Sequence, residues 1–339
     1  MKNLHDMRRR KTLIFLAAIT LAVWAILTLS HLTTDGPRQT HARMGAPVLE
    51  NFVETRAGAQ RIRFTLADER YTLYRTAAGW VLEETGGYPI RLDRLAELAT
   101  GLENLRLDVR RTSDPDKHDR IGLGDPTTGG NGARVDVFGA DGNQTHSIII
   151  GRKNDTVYVR APDAAQTYRA SGDLPAFYNR RAWLDFDIVQ IDPSAIRSVR
   201  IMDVDGQPLY LRRVEGSDAR SFRPAPPHQN DRLVSRLAAS TTALAITRLS
   251  PVDVKPASDL TTQPVARHIS ETFDGLEIDL RAYREPFGVF VTLRAIEAGE
   301  GARRAQAINA RADGWAFRLT EYDFQDFTPQ VANIVERTN

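Results

Sequence analysis

The chain has 339 residues, 42% hydrophobic and 26% charged, and no cysteine. That is the composition of a globular protein with material for sizeable cores, and the lack of thiols excludes disulfides, cysteine nucleophiles, iron–sulfur clusters and cysteine zinc sites. The net charge of +2 is gathered at one end: Lys2, Arg8, Arg9, Arg10 and Lys11 against Asp6 give residues 1–11 a net of +4 and leave −2 for the rest, which offers no basic face to nucleic acid.

Leu13 to Leu32 carries no charged residue. At about 1.5 Å rise per residue, these 20 residues span roughly 30 Å, the hydrocarbon thickness of a bilayer. The cluster Arg8, Arg9, Arg10 and Lys11 stands just before it, so the positive-inside rule places residues 1–12 in the cytoplasm and the body outside. A cleaved signal peptide has a shorter apolar region and a small-x-small cleavage site; Leu27–Leu32 offers none, so residues 13–32 read as an uncleaved transmembrane anchor. Residues 33–58, broken by Gly36-Pro37, Gly45 and Pro47, read as a tether. Arginine outnumbers lysine 40 to 5, a bias of GC-rich bacterial coding, so the expected location is a bacterial inner membrane with a periplasmic body.

In the body, Ile62, Phe64 and Leu66 alternate, Tyr71–Tyr74 and Trp80–Leu82 follow as strands, and Leu92, Leu95, Leu98, Leu102 and Leu105 fall on one helical face. Asp93 is the N-cap or first-turn acid of that helix. Roughly 135 residues later the order returns: Ile196–Ile201, Leu209–Leu211, Phe222, then Asp231-Arg-Leu233 opening a second helix. Between them, Ile121–Pro126 predicts a tight turn, Gly139–Asn143 a hairpin turn with Ser147–Gly151 as its return strand, and Leu174–Trp183 a helical turn. Further on, Asp203–Gly206 predicts a turn, Pro251–Pro264 a loop, and Thr272–Leu280 a strand paired with Phe287–Ala295. The predicted fold is α+β, with two tandem related units, 59–192 and 193–339, each a mainly antiparallel sheet with one principal helix.

Chemical motifs are sparse. Gly122-x-Gly124 lacks the lysine and following helix of a phosphate loop. Counted from Asp203 as a calcium loop, positions five, six and twelve hold Gln207, Pro208 and Val214, which cannot complete a coordination shell. Asp185, Asp187 and Asp192, with Asp173 upstream, could pair for acid–base work, but alternation with Phe186, Ile188 and Ile191 equally fits a half-buried strand. The histidines show no ligand spacing, and no serine-hydrolase elbow occurs. Trp80, Tyr88, Trp183 and Trp315 read as core or as walls of a ligand groove. No cofactor or metal is expected.

These features carry a resemblance. Trp80 ahead of the Asp93 helix, Gly122-Leu123-x-x-Pro126, Ile148-Ile-Ile-Gly151, Tyr158-Val-Arg160, Trp183-Leu-Asp185 and the turn Thr272-Phe-Asp274-Gly275-Leu276 resemble the DUF4340 domain family. Ile121 departs from it, standing where the family often has an aromatic residue. The resemblance implies an N-terminal membrane helix and an accessory role beside ABC-transporter permease and ATPase subunits of the gliding-motility type; it supplies no catalytic residues. The alternatives are an enzyme acting on envelope polymers, using Asp185, Asp187 and Asp274, and a free-standing structural envelope protein.

Overall fold

Alternating apolar and polar residues build two large antiparallel sheets. In the computed structural model, which describes residues 44–216, 220–296 and 302–336, the first contains β1 (Arg61–Thr65), β2 (Arg70–Thr76), β3 (Gly79–Leu82), β4 (Tyr88–Pro89), β5 (Arg106–Arg110), β6 (Ala133–Phe138), β7 (Gln144–Lys153), β8 (Thr156–Arg160) and β9 (Tyr168–Ser171), in the order β4-β3-β2-β1-β6-β7-β8-β9-β5. The second contains β10 (Ile196–Met202), β11 (Pro208–Arg213), β12 (Phe222–Pro224), β14 (Asp253–Pro256), β15 (Ala266–Thr272), β16 (Glu277–Glu285), β17 (Gly288–Ile296) and β18 (Trp315–Leu319), in the order β12-β11-β10-β15-β16-β17-β18-β14. A small pair joins β13 (Arg232–Leu233) to β19 (Val335–Glu336). Helices are α1 (Phe52–Thr55), α2 (Leu92–Asn104), α3 (Arg236–Ala243), α4 (Ala302–Ala312) and α5 (Glu321–Phe327). The fold is α+β with mainly antiparallel sheets, as the sequence predicts.

In each sheet the chain starts on a central strand, moves outward by hairpins, crosses through a helix to the far edge, and returns to the other side of its starting strand. Side chains alternate across the pleat, so Ile62, Leu73 and Val137, which are register partners, share one buried face of the first sheet. Leu98 and Leu102 of α2 are likewise buried. At the end of that face lies a buried aromatic cluster: Phe64 stacks on Tyr71 at 4.7 Å and meets Trp183 at 5.4 Å, while the Trp183 indole N–H donates to the Tyr71 hydroxyl at 3.0 Å. The Tyr71 hydroxyl in turn donates to the Phe177 carbonyl, and burial pushes its phenol far above the ordinary range.

Several local expectations change. The first helix begins at Leu92 with Asp93 in its first turn; its N-cap position is Arg91, which pairs with the Asp93 carboxylate at 2.5 Å instead of capping the backbone. Asp231-Arg-Leu233 does not open a helix: Arg232 and Leu233 pair with the C-terminal β19, and α3 starts later, where the Ser235 hydroxyl caps Ala238 N–H. One principal helix per half holds for the first sheet, whereas α3, α4 and α5 all accompany the second. Residues 185–192 are not a strand; Asp192 caps the short turn Pro193–Ala195 by accepting from Ser194 N–H at 2.7 Å. Thr272–Leu280 is broken by a turn at Gly275, whose φ of +87° suits glycine, so β15 ends at Thr272 and β16 starts at Glu277. Pro251–Pro264 contributes edge strand β14.

The expected tether is shorter than residues 33–58. Val48 N–H donates to the Leu105 carbonyl at 3.0 Å, and Leu49 and Phe52 are buried. Residues 1–43 lie outside the described residues, and with them Arg8, Arg9, Arg10, Lys11 and the predicted anchor at 13–32. Among the described residues no helix is long and apolar enough to cross a membrane.

Glu285 holds the edge of the second sheet. Its buried carboxylate accepts from Thr261 and Thr262 N–H at 3.0 and 2.9 Å, and from both threonine hydroxyls at 3.0 and 2.7 Å, with Lys255 of β14 at 3.3 Å. The Thr262 hydroxyl and the two amides hold its pKa at about 2 against the opposing effect of burial.

Candidate functional site

The two sheets meet along a cleft of about 780 Å³ walled by Tyr88, Arg91, Asp185, Asp187, Arg311 and Trp315. Its position follows from packing. Tyr88, on the short strand β4, lies edge-on to Trp315 at 5.0 Å and to Phe317 at 6.0 Å on β18. The Tyr88 hydroxyl faces two carbonyls, Asp185 at 3.2 Å and Arg311 at 3.5 Å, and burial beside Asp185 pushes its pKa up to about 12. Arg311, in the last turn of α4, donates to the Asp187 carbonyl at 3.0 Å. Beside the cleft, Arg180 reaches from the first sheet's side to Glu69 at 3.5 Å and to Asp253 of β14 at 2.5 Å. Gly86 packs against Pro256 so closely that a Cβ would lie 2.6 Å from its ring. These contacts tie the sheets into one framework around the cleft.

The cleft carboxylates are already engaged. Asp185 accepts from Asp187 N–H at 3.0 Å, and Asp187 accepts from the Gln190 amide at 2.6 Å. Asp93, also on the cleft, is exposed and held below the usual carboxylate range by Arg91. Asp274 is elsewhere, in the β15–β16 turn, where it accepts from the Thr272 hydroxyl and pairs with Arg304. The structure therefore brings Asp185 and Asp187 together and leaves Asp274 apart, so the three do not form one acid–base constellation. Among the described residues no group of three His, Asp or Glu side chains could hold a metal. The four described histidines serve separate contacts: His118 to Ala165 O, His146 to Glu50 O, His228 to Asp231 and Pro208 O, and His268 to Thr242 O. What the cleft offers chemically is a mixed surface, with aromatic walls, two guanidinium groups and fixed carbonyls.

A second constellation explains the motif residues Gly122, Leu123, Pro126 and Gly151. A 3-10 turn (Pro115–Ile121) ends at Gly122, which has φ +71°. Leu123 is fully buried, and its carbonyl accepts from Arg160 Nε at 2.8 Å. The Arg160 guanidinium also donates to the carbonyls of Ala161 at 3.2 Å and Pro162 at 2.7 Å. Pro126 follows Asp125, whose carboxylate caps Thr127 N–H at 2.9 Å. The loop lies flat on β7 at Gly151, where a Cβ would meet the Ile121 carbonyl oxygen at 2.4 Å and that of Gly122 at 2.5 Å. Gly151→Ala is accordingly expected to destabilise the fold by about 1–3 kcal/mol, since backbone on both sides must shift; urea unfolding would measure it, and an unchanged midpoint would contradict the packing.

The remaining motif residues divide in the same way. Trp183 is core, and Trp80 stands half-exposed at the mouth of a separate groove under α2. The bridging role of Arg180 and the Glu285 latch escaped the sequence, because each joins segments more than 20 residues apart with no local pattern to mark them.

The class so defined is an α+β body of two linked antiparallel sheets with a cleft between them. Residues 80–263 match the family described as a domain of unknown function, DUF4340, and the chain belongs to that family. The match runs through parts of both sheets and stops short of Thr272–Leu276. No curated protein and no solved structure matches the chain.

Proposed function

We propose that this chain is a non-enzymatic, membrane-anchored subunit whose periplasmic body supports an ABC-type transporter in the bacterial inner membrane. The observation that carries the reading is the state of the cleft. Its carboxylates are committed to turn amides, a glutamine and an arginine, and its tyrosine to backbone carbonyls, so the groups needed for acid–base work are serving as struts. A framework stiffened in this way suits recognition of a partner or a transported ligand.

Two further features support it. The uncharged stretch Leu13–Leu32 behind a basic cluster has the length and flanks of an inner-membrane anchor with its body outside. The body itself reads as a tandem duplication, units 59–192 and 193–339. With β10 taken for β1 and β14 for β5, the order of the second sheet follows that of the first strand for strand, apart from the added β4. A duplicated unit creates a cleft at its internal boundary, a common ligand location.

The test compares cells carrying the full chain with cells carrying residues 1–46 alone. Loss of transporter assembly or transport with the truncated chain is the expected result; assembly and transport unaltered by removal of the body would refute the proposal.

A further inference from the structure

We propose that the groove beneath α2 binds a single-chain anionic amphiphile of the long-chain fatty-acid class. The groove is separate from the accessory role and does not depend on it. It measures about 560 Å³, within the roughly 300–1,000 Å³ of small-molecule sites. Its floor is apolar and buried: Phe52, Ile62, Leu98, Leu102 and Val137.

The leucine stripe of α2 shows that this space is not ordinary core. Leu98 and Leu102 are covered to 1% and 2% exposure, but Leu92, on the same stripe and at the edge shared by this groove and the cleft, is 59% exposed. The apolar face thus continues beyond the part that the sheet and α1 cover. An exposed Leu92 and a half-buried Leu95 leading onto this apolar floor match the side of an acyl chain.

Charge selects the head group. Arg75 and Trp80 are register partners on β2 and β3, so the guanidinium stands beside the indole at the mouth. Arg56, which also lines the groove, is neutralised by Glu103 at 2.7 Å. Arg75 makes no ion pair among the described residues and leaves the mouth with one uncompensated cation. A carboxylate head can accept from that guanidinium in a bidentate geometry while its tail lies over Ile62 and Leu98.

The full chain, reconstituted in nanodiscs of zwitterionic lipid, would be exposed to a photoreactive hexadecanoic acid and the labelled peptides mapped. Labelling within residues 52–62 and 92–102 should saturate and fall about tenfold or more in Ala96→Trp, which blocks the mouth from an exposed helix position. Unlabelled fatty acids should compete more strongly by about fourfold per added methylene until the groove is filled. Hexadecylamine should compete at least about tenfold more weakly than hexadecanoic acid in the native chain, and Arg75→Glu should reverse that order. Labelling confined to residues 13–32, or unaffected by Ala96→Trp, would overturn the site. Equal competition by acid and amine would overturn the anionic assignment.

Discussion

Replacing Trp183 with alanine is expected to lower the stability of the body by about 3–5 kcal/mol, the range for emptying a large buried aromatic site. Trp183 is 1% exposed and touches Phe64. The site cannot collapse easily, because Tyr71 stays pinned to the Phe177 carbonyl, and its hydroxyl loses the indole N–H as a donor. Trp183→Phe keeps most of the volume but removes the N–H donor, so about 1–3 kcal/mol should be lost. Urea titrations of the two variants would show the order Ala, then Phe, then native. A Trp183→Ala midpoint equal to the native one would mean that the aromatic cluster does not hold the first sheet together. The same residue fixes the passage between the sheets, since Arg91 N–H donates to the Trp183 carbonyl at 2.8 Å. Its loss should therefore also raise hydrogen exchange around Tyr88–Arg91.

The second large effect is a loss of stability in mild acid through His268. The ring is fully buried on β15, with Nε2 at 3.0 Å from the Thr242 carbonyl and Nδ1 at 3.4 Å from the Ser270 hydroxyl, and Phe327 edge-on at 5.3 Å. A carbonyl can only accept, so Nε2 carries the hydrogen and the neutral ring is satisfied without a charge. Burial pushes its pKa down to about 4 from 6.5. The unfolded chain therefore takes up a proton that the folded chain refuses: stability is complete above about pH 6.5 and falls as the pH drops from there to about 4. A difference of that size corresponds to about 3 kcal/mol. His268→Gln, which keeps a donor for Thr242 and does not titrate, should flatten this part of the profile. The Glu285 carboxylate acts at lower pH, its contribution being lost as pH falls through about 2, so the two can be separated. A native profile between pH 6.5 and 4 that is no steeper than that of His268→Gln would contradict the assignment.

How much of this was legible in the sequence depended on the range of the interactions. Strands with alternating side chains, such as Ile62 and Phe64, announced themselves, as did the α2 leucine stripe and the glycine turns at Gly139–Asn143 and Asp203–Gly206. These signals are local, fixed by a period of two or 3.6 or by a turn's need for glycine. Errors arose where tertiary pairing overrode a local pattern. Asp231-Arg-Leu233 looks like a helix start, but β19, about a hundred residues later, captures Arg232 and Leu233 as strand. Asp185–Asp192 alternates like a strand yet has no neighbour to pair with, and its carboxylates close turns instead. The motif glycines were found by resemblance, while the reason for Gly151, a carbonyl 2.4 Å from its missing Cβ, needs the fold. The cleft was legible only in part: Tyr88 and Trp315 stood out as possible groove walls and Asp185 and Asp187 as candidate acids, but Arg311, 223 residues from Tyr88, carried no local mark, and nothing local says that these side chains meet.

The most direct test of the accessory reading is affinity purification of the full-length chain in mild detergent, with mass spectrometry of what co-purifies. An ABC permease and its ATPase, recovered in constant proportion to the chain, are the predicted result. Recovery of the chain alone, under conditions that keep such transporters intact, would contradict it.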